Sequence, residues 1–487
     1  MTAATPRAAP MRTGAVALLL AAPMILAFHS GGFFAEATLW AGLAAWVATA
    51  AVLLLVPAPL PSGRAARVCL ASLAGLAAWT AVSIAWSPLK DQALRDAEHV
   101  WLYLALLLTG IALLRTRRLL AMVEPGLALG AAIAGAYALA ARLLSGIVDP
   151  DPTAAAGARL DQPLTYWNAV GLLMAFGVVL CVRIAADEGR RAAMRIAASA
   201  AAPALALALY LTLSRGALAA LALGAVVLVV ATRRRAQADA VAVATVCGAT
   251  LVAVASRFDA VDSLTGDAGD LERQGLIVLG LTILACAVAG LTTAGLMRLE
   301  AAGSTWTARL PRRRAPVIAA AVGFAVALGV VAFGPRDDAT PREATPAPAG
   351  VPTDPSRLRS LESDRYEYWD VAVAGLSEEP LRGLGSGGFG VLWLAERDIE
   401  VRAKDAHSLY LETALELGVP GLLLLFGFLG AAGVLTVRQA ARYPGLAAVV
   451  AMWVMHASWD WDWEMPAVTA PFVIAVAALA AADEEGS

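Results

Sequence analysis

Three acid–base side chains lie close together late in the chain. His407 is one of only four histidines among 487 residues, and an imidazole with an unperturbed pKa of roughly 6.5 is the natural proton acceptor near neutral pH. Glu412 and Glu416 follow at i, i+4 spacing, where two like charges are mildly unfavourable unless they are solvated or face a cation. A lone histidine is more often structural than catalytic, so both interpretations of His407 stay open at this point.

Two arginines suit phosphate binding. Arg215 lies in Leu213-Ser-Arg-Gly216 at the outer end of two apolar runs, and Arg365 is followed closely by Tyr366 and Trp369. A guanidinium binds phosphate through two parallel hydrogen bonds. A charge at a membrane helix end otherwise needs a partner or snorkels to the interface. Arg215 therefore either grips a lipid phosphate or snorkels. Arg365 is either an ordinary surface residue or is held at headgroup depth by an interfacial aromatic helix.

Two further motifs are weaker signals. The run 383–390 matches G-x-G-x-x-G twice, but a dinucleotide fold also needs a preceding strand and a following helix. A tight turn or backbone nest is the better interpretation, and its N–H groups could face an anion. The D-x-D pairs Asp149/Asp151 and Asp460/Asp462 could hold a divalent metal on a diphosphate, although two-residue patterns arise easily by chance.

The composition indicates that membrane helices position these residues. Hydrophobic residues make up 59% of the chain and charged residues 16%, with a mean hydropathy of +0.69. Backbone polar groups in a bilayer must pair internally, and continuous apolar runs of about 16–25 residues suit helices rather than barrel strands. The net charge of −2 gives no indication of a nucleic-acid partner. The four cysteines fall in apolar runs without C-x-x-C spacing, so they predict neither a zinc site nor a disulfide framework.

We predict an all-α integral membrane protein with about 12–14 transmembrane helices. The fourteen candidate spans are 14–30, 36–57, 66–86, 98–114, 119–143, 164–186, 196–213, 217–232, 237–256, 274–297, 315–334, 411–436, 443–459 and 466–482. Three regions follow: a helical bundle over 1–335, a loop over 336–410 and C-terminal helices over 411–487. Arginines concentrate in the alternate connections. The positive-inside rule therefore predicts cytoplasmic termini and an extracytoplasmic loop.

The loop divides into a tether and an ordered part. Residues 335–355 are rich in Pro, Ala and Thr, which is typical of a flexible linker. Helical spacing of apolar residues predicts an amphipathic helix over 361–377, and a second short helix is predicted over 408–417, ended by Gly418 and Pro420.

Four stretches together resemble the O-antigen ligase and O-antigen polymerase family. They are Tyr166-Trp-Asn-Ala-Val-Gly171; Leu213-Ser-Arg-Gly216; the loop run Arg365-x-x-Tyr-Trp…Pro380-x-x-Gly-x-Gly-x-Gly-x-Phe389…His407-Ser-x-Tyr-Leu-Glu412…Glu416-x-Gly-x-x-Gly421; and His456…Asp462…Pro466. The third stretch is the specific one, because its order, spacing and position before a membrane helix all agree with the family.

The resemblance implies an enzyme and a site. Family members are membrane glycosyltransferases that move a glycan from undecaprenyl diphosphate to a hydroxyl of another saccharide, which can itself be lipid-linked. They are regarded as inverting and independent of metal, so no cofactor is expected. Arg215 and Arg365 match the family's diphosphate-binding arginines, and His407 matches its loop histidine, as base or phosphate ligand. We expect these three side chains to converge on one outward-facing cavity. The expected catalytic set is His407, Arg365, Arg215, Glu412 and Glu416, and the expected substrate contacts are Tyr366, Trp369, Gly385, Gly387, Tyr410 and Asp462.

Other functions remain open. The shared motifs do not separate a ligase from a polymerase. The count of fourteen spans weakly favours a polymerase. The protein-glycosylating branch is disfavoured because the chain stops at Ser487. A transporter or flippase of lipid-linked glycans would show midplane charges and repeated halves, whereas here polar groups concentrate on one face. A structural scaffold would tolerate loss of Arg215, Arg365 and His407.

Overall fold

The computed structural model describes residues 8–150, 153, 155–301, 358 and 364–485 of the chain. Within these ranges the protein is helical and contains no β-strand. The helices are α1 (Ala8–Ala27), α2 (Ala35–Leu55), α3 (Arg64–Ser83), α4 (Lys90–Leu113), α5 (Arg117–Leu120), α6 (Val123–Leu143), α7 (Trp167–Ala186), α8 (Ala192–Leu211), α9 (Arg215–Thr232), α10 (Arg235–Ala255), α11 (Asp259–Asp262), α12 (Ala268–Ala301), α13 (Arg365–Gly375), α14 (Gly388–Glu396), α15 (Leu409–Gln439), α16 (Pro444–His456) and α17 (Pro466–Glu485).

The fold class predicted from the sequence is confirmed. In the described part, 11 helical segments are long and apolar enough to cross a membrane, and Met11–Ala27 and Pro444–His456 are shorter apolar helices. Every predicted span that falls in the described ranges coincides with one of these helices. The predicted span 315–334 and the predicted tether lie outside the described residues.

The chain divides into two compact units. The first comprises Met1–Gly126, Ser363–Gln439 and Trp453–Ser487, and the second comprises Leu127–Glu362 and Ala440–Met452. In the first unit α4 packs against α2, α3 and α17, and α15 packs against α3 and α17. In the second unit α7 packs against α8, α9 and α10, and α8 also contacts α12. The helices α17 and α7 are almost wholly buried.

The ordered part of the loop forms a small cap on the first unit, which we define as residues 364–408. Its core consists of buried apolar side chains from α13, α14, the segment before α15 and the start of α15, namely Tyr368, Ala372, Phe389, Trp393, Ala406 and Leu415. The tyrosine ring packs edge-on against Trp393, with 4.8 Å between ring centroids. This core fixes both ends of the cap against the membrane helix α15.

In this region the predicted end of a short helix at Gly418 is confirmed, and one helix was not predicted. The short helix predicted over 408–417 is the start of α15, which continues to Gln439 across a break at Gly418 (φ 62°, ψ −165°). The helix resumes because Pro420 can start a helical turn, where its missing N–H is not needed. The sequence also gave no indication of α14, which directly follows the glycine run 383–387.

Candidate active site

Arg365 occupies the first position of α13 and is held by a buried acid. Its Nη2 donates to Oδ2 of Asp460 at 2.8 Å, and the side chains are 20% and 1% exposed, respectively. Removing one partner of a buried ion pair is costly because the other charge is left in an apolar surrounding. Asp460 therefore acts as the anchor of the guanidinium, which remains partly open to solvent.

His407 lies at the end of the cap, between aromatic rings. Its ring centroid is 5.3 Å from that of Tyr368 and 5.9 Å from that of Trp461. The backbone at His407 has φ 53°, a left-handed conformation that costs energy in a non-glycine residue and often occurs at functional sites. This backbone directs the imidazole out of the helical path that begins at Leu409.

The hydrogen bonding of His407 defines which nitrogen could accept a proton. Nδ1 lies 3.0 Å from the carbonyl oxygen of Asp405, which accepts a hydrogen bond from Nδ1–H and so leaves the lone pair on Nε2. Burial and the positive charge of Arg365 lower the pKa of His407 below its ordinary value, while the carboxylate of Asp460 opposes the shift. A neutral imidazole is therefore favoured at neutral pH. Arg365 and His407, two of the predicted residues, thus lie in the same unit, and the charge of Arg365 affects the pKa of His407.

Glu412 and Glu416 both bind backbone N–H groups of the cap. Oε2 of Glu412 accepts from the N–H of Ala406 at 2.8 Å. Oε1 of Glu416 accepts from the N–H of Phe389 at 3.0 Å. Phe389 lies in the first turn of α14, where N–H groups lack helical partners and a carboxylate is favourable. The predicted pair of acids thus contacts the segment before His407 and the start of α14.

The glycine run packs tightly against the rest of the first unit. Gly383 and Gly385 have φ values of 71° and 89°. A Cβ on Gly383 would lie 2.3 Å from the backbone of Glu416, and one on Gly385 would lie 2.6 Å from Cα of Ser87. In the same run, Oγ of Ser386, which follows Gly385, donates to Asp96 at 2.6 Å. These glycines are required for close approach to α15 and to the α3–α4 turn.

The remaining predicted substrate contacts differ in accessibility. Tyr366 is 62% exposed, and its ring lies 5.7 Å from that of the half-buried Trp369. Gly387 borders Gln92, with φ 76°. The hydroxyl of Tyr410 donates to the carbonyl oxygen of Val454 at 2.8 Å. Of these four residues, Tyr366 and Trp369 have the positions best suited to contact a sugar ring.

Asp462 is buried beside a histidine. Its Oδ2 lies 2.7 Å from Nδ1 of His456, and both side chains are 0% exposed. Burial raises the pKa of Asp462 while His456 opposes the shift. In the described residues, Oδ1 of Asp462 and Nε2 of His456 have no hydrogen-bond partner. Asp462 does not reach an open surface in this arrangement, so its predicted contact with substrate stays untested.

Two acids outside the membrane helices also have perturbed pKa values. Burial and the carboxylate of Asp96 raise the pKa of Asp405 to about 7, and Lys404 opposes the shift. Burial and the charge of Asp405 raise the pKa of Glu464 well above its ordinary value. Both shifts favour the neutral form of these carboxyl groups. In the described residues no group of three or more His, Cys, Asp or Glu side chains is arranged to hold a metal.

Arg215 belongs to the second unit and begins α9. Ser214 caps this helix by accepting from the N–H of Ala217 at 3.3 Å. Gly171 of α7 lies so close that an added Cβ would be 2.9 Å from Ala217 and 3.1 Å from Ser214. The stretches 166–171 and 213–216, separated in sequence, are therefore neighbours in this unit. Convergence of Arg215 with Arg365 and His407 stays a prediction.

An apolar groove runs beside α9 in the second unit. It is lined by residues of α7 to α10, including Leu218, Leu221, Ala225 and Leu228. Steps of three and four residues place these side chains on one helix face, and Arg215 is three positions before Leu218 on that face. A hydrocarbon chain in the groove would therefore point toward the helix end that carries Arg215.

The comparison with protein families agrees with these observations. Residues 273–426 match the family model described as O-antigen ligase. This part of the chain is similar to the O-antigen ligase family. No curated protein matches the chain. The part that matches the O-antigen ligase model contains the cap, His407 and both glutamates, while Arg215 and Asp460 lie outside it. The family predicted from the motifs is thereby confirmed.

Asp460 was missed as an ion-pair partner by the sequence reasoning, which considered it only as half of a metal motif. It is separated from Arg365 by 95 residues, and no periodicity relates the two. One signal was present: an acid among Trp459, Trp461 and Trp463 needs a cationic or hydrogen-bonding partner in an apolar surrounding.

Proposed function

We propose that this protein is a glycosyltransferase of the bacterial inner membrane that transfers a glycan from undecaprenyl diphosphate to a saccharide hydroxyl at the outer leaflet. The observation that carries the proposal is the arrangement of Arg365 and His407 in one cap: an anchored, partly open guanidinium lies close to a histidine that keeps Nε2 available. The first residue suits a diphosphate and the second suits a hydroxyl, and glycan transfer from a lipid diphosphate needs both.

The proposed reaction is a single displacement. The acceptor hydroxyl oxygen forms a bond to the anomeric carbon of the donor glycan, and the bond between that carbon and the diphosphate oxygen breaks with inversion. The electron pair of the broken bond leaves with undecaprenyl diphosphate, and the hydroxyl proton moves to Nε2 of His407. Arg365 and Arg215 stabilise the negative charge that grows on the leaving diphosphate, which is where electrostatic catalysis acts most strongly.

The cap residues support different roles within this reaction. Tyr366 and Trp369 provide ring faces against which sugar rings can pack. Glu412 and Glu416 position His407 and α14 through backbone N–H groups rather than contacting substrate. The polyprenyl chain of the donor would occupy the apolar groove beside α9. We propose cytoplasmic termini and an extracytoplasmic cap, and the choice between polymerase and ligase depends on the acceptor.

The proposal is tested with purified protein and an undecaprenyl-diphosphate oligosaccharide in the presence of EDTA. Release of undecaprenyl diphosphate and the size of the glycan product are measured. Wild type is compared with Arg215→Ala, Arg365→Ala and His407→Ala. We expect turnover in wild type and a loss of about 100-fold or more in each variant, as for removal of a charge-stabilising or general-base group.

Matched controls are available on exposed surfaces. Arg382→Ala removes a cap arginine that pairs with Glu379 at 3.0 Å, and His29→Ala removes an exposed histidine whose Nδ1 lies 2.9 Å from the carbonyl oxygen of Ile25. Both should retain turnover. A ladder of lengthened glycans would identify a polymerase, and turnover only with an added lipid-core acceptor would identify a ligase. Equal substrate binding by all proteins without turnover would contradict the proposal and favour a transporter or scaffold.

A further inference from the structure

A polar cavity of about 490 Å³ opens on the first unit, between the start of α4 and the cap. Its lining includes Lys90, Gln92 and Arg95 from α4, and Gly387, Gly390 and Lys404 from the cap. Three of the lining side chains are cations and one, Asp91, is a carboxylate. The volume lies in the range of about 300–1,000 Å³ that is usual for small-molecule sites. The lining contains none of the residues assigned above to catalysis.

The guanidinium of Arg95 is fixed by a chain of hydrogen bonds. Nη2 of Arg95 donates to Oε1 of Gln92 at 2.5 Å, and Nε2 of Gln92 donates to Oδ1 of Asp96 at 2.8 Å. The other oxygen of Asp96 accepts from Oγ of Ser386 at 2.6 Å. Arg95 is thus held in one orientation by the same carboxylate that holds the glycine run. A preorganised guanidinium loses less freedom when it binds an anion.

Glycine backbone leaves room in the cavity on the cap side. A Cβ on Gly387 would lie 2.8 Å from Cγ of Gln92, and one on Gly390 would lie 3.4 Å from the backbone oxygen of Lys404. A side chain at Gly387 would therefore press on the residue that orients Arg95. Lys404, on the same side, is three positions before His407 in the cap. A ligand in this cavity would contact the segment that carries the proposed base.

We propose that this cavity binds an anionic sugar residue, bearing a carboxylate or a phosphate, of the acceptor glycan. The inference rests on the proposed function, since it assigns the acceptor to the cavity on the His407 segment. Lys90, Arg95 and Lys404 supply an excess of positive charge, and charged oxygens form the stronger hydrogen bonds with such groups. Neutral sugars would lack this interaction. The cavity thereby selects acceptors by charge, separately from recognition of the donor diphosphate.

The test measures binding to wild-type protein in nanodiscs of zwitterionic lipid. The probes are digalacturonate, mannose 6-phosphate and the neutral methyl galactoside, and Kd is determined by titration at two salt concentrations. We expect the anionic probes to bind at least about tenfold more tightly than the neutral one, a difference of 1.4 kcal/mol. The preference should shrink at high salt. Whichever anionic probe binds more tightly identifies the substituent as carboxylate or phosphate.

The variants Arg95→Gln and Lys404→Gln should each weaken binding of the anionic probes by about tenfold, and leave the neutral probe unchanged. Arg382→Gln, outside the cavity, should bind as wild type. Equal affinity for charged and neutral probes, or wild-type affinity in both cavity variants, would overturn the proposal.

A second experiment repeats the titrations in nanodiscs that contain the anionic lipid phosphatidylglycerol. If the anionic lipid abolishes binding of the sugars, the cavity is a lipid headgroup site and the proposal fails.

The binding test of this cavity can fail or succeed independently of the transfer test of the proposed function. His407→Ala should keep the anionic preference and lose glycan transfer, because binding and proton transfer use different residues. In the transfer assay, Arg95→Gln should raise KM for an anionic acceptor and leave kcat nearly unchanged. A protein that binds the anionic probes but transfers no glycan would contradict the proposed function alone. A protein that transfers glycan without any preference for anionic acceptors would contradict this inference alone.

Discussion

The charge state of His407 depends on residues that are distant in sequence. Arg365 lowers its pKa and Asp460 raises it, with burial adding to the lowering. The neutral imidazole is the form that accepts a proton, so turnover should fall as pH drops through this lowered pKa. The lowered pKa therefore extends the active range toward acid, compared with an isolated histidine.

Removing the charge of Arg365 should reverse this effect. In Arg365→Gln the repulsion is lost while Asp460 remains, so the pKa of His407 rises. The acidic limb of the profile of kcat/KM against pH should therefore move upward. Arg382→Gln serves as the control, and an unmoved acidic limb would mean that another group controls the profile.

The role of Glu416 can be separated from catalysis by a pair of substitutions. Gln at position 416 keeps an oxygen that accepts from the N–H of Phe389, so Glu416→Gln should retain turnover within a few-fold. Glu416→Leu leaves that N–H buried without a partner, which costs about 1–3 kcal/mol, and should lower both the melting temperature and turnover. If Glu416→Gln folds normally but is inactive, the carboxylate itself takes part in the chemistry.

At the level of elements, the membrane helices were predictable and the cap was predictable only in part. A continuous apolar run that crosses a bilayer must form a helix to pair its backbone polar groups. The predicted spans therefore coincide with helices such as α7 and α15. The helix α14 was missed because Gly388 and Gly390 disfavour a helix locally. It forms because Phe389 and Trp393, four residues apart, bury their rings in the cap core. Tertiary packing overrides local propensity there.

The candidate active site was likewise predictable only in part. Arg365 and His407 could be selected from the sequence because their motif has a fixed order and spacing. The partner Asp460 and the hydrogen bond between Asp96 and Ser386 could not, since they depend on how the cap folds onto other parts of the first unit. Long-range polar pairs leave no periodic signal in one sequence.

The glycine run gives a prediction at the level of elements. Gly385→Ala places a Cβ 2.6 Å from Cα of Ser87 at φ 89°. The left-handed conformation and the forced contact should together destabilise the cap by about 2–4 kcal/mol. A thermal melt followed by tryptophan fluorescence, together with turnover, would measure the loss. Gly430→Ala in α15 meets nothing within 4 Å and should not lower stability. Equal melting of both variants would contradict the packing argument.

For the whole molecule, orientation decides whether the cap can meet a donor at the outer leaflet. The alternating register of arginines predicts that residue 377 of the cap lies outside and residue 189 inside. Both positions are exposed, and neither adopts a positive φ, so a cysteine is tolerated at each.

Labelling with a membrane-impermeant maleimide tests this orientation. All four native cysteines are first replaced by alanine, and Ser377→Cys and Gly189→Cys are introduced separately. In intact spheroplasts Ser377→Cys should be labelled and Gly189→Cys should not, and both should be labelled after lysis. The physical reason is that the arginine-rich connections are retained on the cytoplasmic side. Labelling of Gly189→Cys alone in intact spheroplasts would place the cap in the cytoplasm. An enzyme so oriented could not use a donor presented on the outer leaflet.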